Sequence, residues 1–175
     1  SLTDDLENAG QDVTAQTVDY GEWMEDESGV RYLNENGTFT KSDFQKIGNY
    51  WFYFDEEGYL ATGWQTIDGK RYYFQKSGIL GTLGKMWTGW LKNGGEIYYL
   101  KQSGDKGTMG KMFTGFQTIN GYRYYFASDG TLQTGWQKID SSVYYFKASG
   151  TYGVKGRMFT GVQNVSGQTY CFASD

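Results

Sequence analysis

The chain has no histidine, no proline and one cysteine, Cys171. Without histidine, Ser-His-Asp and Cys-His nucleophiles and histidine-ligated metal sites are excluded. A lone cysteine closes no internal disulfide. Cys171 stands where earlier copies of a repeat carry tyrosine, so a small packed residue is expected there rather than a nucleophile. Glycine-rich stretches such as Gly78 to Gly84 lack the Gly-Lys-Ser/Thr ending and following helix of a phosphate loop. Nor does any run of alternate Asp lead to a Glu, as a calcium loop requires. No apolar stretch is long enough to cross a bilayer as a helix. Sixteen basic residues are scattered against twenty acidic ones, for a net charge of −4. A nucleic-acid face would gather the basic residues on one side. The acidic clusters Asp4-Asp5 and Asp55-Glu56-Glu57 fall in a tail or in turns, where solvated charge is their ordinary role. They do not suggest the two facing carboxylates of glycoside hydrolysis. No catalysis and no cofactor are expected.

What the chain does have is aromatic residues and glycine: 6 Trp, 16 Tyr, 11 Phe and 26 Gly in 175 residues. Aromatics favour strands, and glycine supplies positive-φ turns. Together they imply many short strands joined by tight turns.

The strands repeat. Gly63-Trp64, Gly89-Trp90, Gly115-Phe116, Gly135-Trp136 and Gly161-Val162 recur at spacings of 20 or 26 residues, with Asp43-Phe44 in the same slot and Gly21-Glu22-Trp23 as a looser first copy. Each pair leads to a turn such as Asp68-Gly69 or Asn120-Gly121 and then to an aromatic triplet such as Tyr72-Tyr73-Phe74. Asp-Gly or Asn-Gly between two β-prone runs is a strong hairpin signal, because a type I′ turn needs positive φ twice. The longer units insert glycines at 78, 81 and 84, again at 104, 107 and 110, and again at 150, 153 and 156. Met86, Met112 and Met158 follow that stretch, and Leu60 and Leu132 take the same position in the short units. An isolated hairpin is marginal in water, so the units must stack. The expected fold is all-β, a solenoid of β-hairpins with 20- and 26-residue units. Residues 1–20 read as a linker or the tail of a preceding domain. Residues 21–175 read as about seven units, the last cut short at Ser174-Asp175.

Alternation along a strand sets two faces. With Asp68-Gly69 at the turn, Trp64 lies opposite Tyr73 and Thr66 opposite Arg71, on one face. Gln65, Ile67, Tyr72 and Phe74 form the other. The second face is steadier between copies and is expected to be core. The Trp64 face varies and is expected to stay open. Flat rings suit sugar C–H patches, and several rings together suit a quaternary ammonium. The candidate ligand-binding residues are Trp51, Tyr53, Trp64, Tyr73, Trp87 and Trp90, followed by Tyr99, Phe116, Tyr125, Trp136 and Tyr145.

These motifs, the repeated Gly-Trp and Tyr-Tyr-Phe, resemble the cell-wall-binding repeat superfamily over Gly21 to Asp175. Its branches are choline-binding modules, glucan-binding repeats and the repetitive oligopeptides of clostridial toxins. The resemblance implies a secreted module of the Gram-positive cell wall or cell surface. Its partner would be wall polysaccharide or another glycan, with choline of teichoic acid as the alternative and a passive stalk as a third reading. In the choline branch a cage combines the Trp of Gly-Trp, a Trp seven positions later, a Tyr two beyond that and an aromatic of the next unit. Here the second Trp is present only as Trp51, which points to one cage from Trp51, Tyr53 and Trp64 with Leu60. Arg71, Ile97, Arg123, Val143 and Thr169 fill its place elsewhere, a departure that leans toward carbohydrate.

Overall fold

The computed structural model describes residues 21–174, and among them there is no helix. The expectation for residues 1–20, including Asp4-Asp5, lies outside the described residues. Fourteen five-residue strands pair as seven antiparallel hairpins. The first three are β1 (Glu22–Asp26) with β2 (Gly29–Leu33), β3 (Asp43–Ile47) with β4 (Tyr50–Phe54), and β5 (Gly63–Ile67) with β6 (Lys70–Phe74). Then come β7 (Gly89–Asn93) with β8 (Glu96–Leu100) and β9 (Gly115–Ile119) with β10 (Tyr122–Phe126). The last two are β11 (Gly135–Ile139) with β12 (Ser142–Phe146) and β13 (Gly161–Val165) with β14 (Gln168–Phe172). The register pairs Trp64 with Tyr73 and Thr66 with Arg71. At that turn Asp68 has φ 49° and Gly69 φ 75°, the two positive values a type I′ turn demands.

Hairpins are tied to one another through their connections. Phe39, Leu60, Met86, Met112, Leu132 and Met158 each bridge to the last residue of the strand before them. Five of these residues also reach back one hairpin further with the backbone amide. Leu60 donates to the Val30 carbonyl and Met86 to that of Trp51, both at 2.7 Å; Met112, Leu132 and Met158 donate to Arg71, Ile97 and Arg123 at 2.8 Å. The side chains of Leu60, Met86, Met112 and Leu132 are each covered by a glycine of the following unit. A Cβ on Gly84 would lie 2.7 Å from Leu60 Cγ, and one on Gly110 would lie 2.5 Å from Met86 Sδ. Only a residue without a side chain lets successive units approach so closely.

The expected core face is buried. Phe52, Phe54, Tyr72, Phe74, Leu100, Tyr124, Phe126 and Phe146 are almost fully enclosed, each contributing about 1.5–3 kcal/mol relative to exposure. The opposite face does not stay open as expected. It packs on the core face of the next hairpin, so Phe44, Tyr73 and Tyr99 are buried too. A hairpin with two apolar faces hides both by presenting one to each neighbour. Cys171 also departs from expectation, being exposed rather than packed. In earlier hairpins the tyrosine of that register lies under the following hairpin, and no further hairpin follows the seventh among the described residues.

Candidate functional site

Each junction between successive hairpins holds the same three rings: an aromatic of the first strand, the tyrosine paired with it, and an aromatic from the next hairpin. Trp64 sits 5.1 Å from Tyr73 and 4.8 Å from Tyr98, both edge-to-face. Trp23, Phe44, Trp90, Phe116 and Trp136 make the same pair of contacts, to Tyr32 and Phe52, Tyr53 and Tyr72, Tyr99 and Tyr124, Tyr125 and Tyr144, and Tyr145 and Tyr170. Such pairs contribute roughly 0.5–1.5 kcal/mol beyond their buried area. Each set of three rings lines one slot between neighbouring hairpins.

Three of the six slots are covered by the chain itself, by the six-residue insertion of a 26-residue unit two hairpins downstream. The insertion 104–109 lies on the Phe44 slot: the Gly107 carbonyl accepts from Tyr72 Oη and Lys70 Nζ, both at 2.9 Å, and Lys106 pairs with Asp43 at 2.7 Å. The space between Phe44, Trp51, Met86 and Gly107 has no room for a water molecule, although a cavity of about 350 Å³ opens on its outer side, lined by Phe44, Tyr53, Lys106 and Gly107 among others. Insertion 150–155 covers the Trp90 slot in the same way, with Tyr124 Oη donating to the Gly153 carbonyl. A Cβ on Gly153 would be 3.6 Å from Trp90 Nε1, and a Cβ on Gly81 the same distance from Trp23 Nε1. The Trp64 slot has the short connection 127–134 in the corresponding place and no such cover. For the Phe116 and Trp136 slots no connection lies two hairpins downstream among the described residues.

The uncovered slots differ in charge. At Trp64 the indole Nε1 donates to Asn93 Oδ1 at 3.2 Å, and Asn93 Nδ2 donates to Tyr73 Oη at 3.3 Å. The Arg71 guanidinium lies over the Trp64 ring, 4.7 Å from its centre, and Arg123 lies over Phe116 at the same distance. Burial raises the phenol pKa of Tyr98, with Asp129 and Glu96 adding to the rise and Arg71 partly opposing it. Asp129 is held below the ordinary carboxylate range first by the Thr131 hydroxyl and amide, with Arg71 adding a smaller effect. Trp136 carries no such cation among the described residues and is 45% exposed, beside Val143 at 59% and Tyr170 at 38%. A cavity of about 350 Å³ opens next to it, lined by Val143, Met158, Phe159 and Phe172 among others, and the Phe172 ring is 5.8 Å from that of Trp136.

The structure thus brings Trp64, Tyr73 and Tyr98 together, but not Trp51, Tyr53 and Trp64. Trp51 packs against the cluster around Phe44, beneath the insertion that covers it. Trp87 is half-buried, with its indole donating to the Trp90 carbonyl at 2.9 Å.

A family model described as a choline-binding repeat matches residues 41–82, 61–110 and 113–156. The chain belongs to the choline-binding repeat family. Its hairpin array superposes on choline binding protein F of Streptococcus pneumoniae with a TM-score of 0.74 at 32% identity, covering 89% of this chain and 50% of that protein. It superposes on CbpJ of the same organism at 0.71 and 30%, covering 89% and 51%. The lysin of Pneumococcus phage Dp-1 is 44% identical over 45 residues, which make up 24% of this chain and 15% of the lysin. The chain spans about half the length of each of the two solved structures. Within the family pattern, its choline-binding repeats place two arginines in ring contact at uncovered slots. Sequence reasoning missed this contact, and it also placed Tyr72 and its counterparts in other hairpins in the core alone. The recurrence of arginine seven residues after Trp64 and Phe116 was the available signal.

Proposed function

We propose that this chain is a non-catalytic module that fastens a secreted polypeptide to cell-wall polymer at the bacterial surface, taking a choline-type ammonium group in its Trp136 slot. The observation that carries this reading is the Trp136 slot. There three rings converge with no covering insertion and no resident guanidinium among the described residues, and the indole is exposed beside a cavity. Rings held this way attract a quaternary ammonium through their negative faces. A second reading, sugar binding, is favoured at the Trp64 slot, where Arg71 and Asn93 set polar groups at the edge of an aromatic platform. Hydroxyl-rich ligands need such an edge.

Pull-down on choline-bearing teichoic acid, peptidoglycan and α-glucan, with free choline as competitor, tests the proposal. Retention on teichoic acid, release by choline and loss in Trp136→Ala are expected. Retention indifferent to choline moves the assignment to sugar. No retention on any polymer leaves a passive stalk and overturns the proposal.

A further inference from the structure

The residue seven positions after the first-strand aromatic differs between the covered slots and the Trp64 slot. Under the covering insertions it is apolar: Val30, Trp51 and Ile97. At the Trp64 slot, the one internal slot whose downstream connection is short, it is Arg71. We propose that Arg71 is the specificity-determining residue of this slot, its guanidinium holding the ring face that an ammonium ligand would need. The inference rests on the reading of the slots as ligand sites. A cation within about 6 Å of an indole centre is bound by the ring quadrupole, and Arg71 lies inside that limit at 4.7 Å. Its carbonyl is fixed by the Met112 amide at 2.8 Å, so the backbone that presents the guanidinium is anchored. The side chain also lies within the electrostatic reach of Asp129, whose carboxylate stabilises a positive charge there. An incoming ammonium would meet a like charge and an occupied ring. A ligand offering oxygen acceptors would instead meet the free edge of the guanidinium, whose N–H groups donate only. Arg123 over Phe116 repeats the device two hairpins on.

Calorimetric titration with choline chloride tests the assignment on the whole chain, counting sites per molecule. Arg71→Ala, and Arg71→Gln as a second variant with the stem kept, are expected to bind one choline more than the parent. Arg71→Lys is expected to add none, and Trp64→Ala in the Arg71→Ala background to remove the added site. An unchanged count in both neutral variants, with an unchanged melting temperature, overturns the proposal. So does loss of a choline site on Trp64→Ala alone, because the slot would then already accept choline beside Arg71. A parent chain that ignores wall polymer while Arg71→Ala still gains a choline site overturns the proposed function and leaves this assignment standing.

Discussion

Replacing Gly84 by alanine separates the two demands that the fold makes of its glycines. Gly84 has φ +78°, and a Cβ there would lie 2.7 Å from Leu60 Cγ and 2.7 and 2.8 Å from its two methyl carbons. Gly69, in a hairpin turn at φ +75°, would place a Cβ within 4 Å of nothing. The backbone penalty is therefore common to both, about 1–2 kcal/mol for a left-handed non-glycine residue. Gly84→Ala adds overpacking against a γ-branched side chain already in the stack, about 1–3 kcal/mol. Gly110 falls between them: its Cβ would meet Met86 Sδ at 2.5 Å, but an unbranched thioether can swing aside. The expected order of destabilisation is Gly84→Ala, then Gly110→Ala, then Gly69→Ala, with about 2–5 kcal/mol for the first. Urea unfolding followed by tryptophan fluorescence gives the totals. Hydrogen exchange at the Met86 amide, which donates to Trp51, reports the local opening. If Gly84→Ala costs no more than Gly69→Ala, the column of close-stacked units is not what holds the hairpins together.

Deleting residues 104–109 should join Ser103 to Gly110 as a 20-residue unit and uncover the Phe44 slot; faster exchange and new ligand access there, with the array still folded, are the expected outcome, and unfolding of the whole chain counts against it. Tyr124→Phe removes the hydroxyl that donates to Gly153 and should cost about 1 kcal/mol, read as faster exchange within 150–156 while the Trp64 slot is unaffected. Burial raises Tyr72, Tyr98 and Tyr99 above the ordinary 10.0. Their folded pKa thus exceeds the unfolded one, so the stability they contribute is complete below about pH 10 and lost as pH rises through the folded values. Cooperative alkaline unfolding with a steep rise in phenolate absorbance is expected, and a shallow titration at the ordinary value in a chain that stays folded refutes it.

The hairpins, their register and the buried face were legible because turn chemistry and strand alternation are local. Asp68-Gly69 alone sets the pairing of Trp64 with Tyr73. What lay beyond reach was the relation between units. Alternation distinguishes two faces but does not reveal that the Trp64 face of one hairpin will meet the Tyr98 face of the next. The same limit hid the site. Gly107 belongs to a connection far along the chain from Phe44, and nothing in the spacing of glycines says that it returns there. Trp51 matched a family cage by position, yet its surroundings are decided by a downstream insertion. Cys171 was expected to be packed because the repeat supplies a neighbour for every earlier copy of that position.

Because an insertion acts on the junction two hairpins before its own, the chain's pattern of open and closed recesses is written out of phase with the aromatic residues that form them. Loss of the fourth hairpin with its connection would bring the short fifth unit over Phe44 and the long sixth unit over Trp64. One recess would open and another would shut, although none of the rings in either first strand had changed. Gain or loss of a single unit in such an array therefore reassigns its valency, not only its reach.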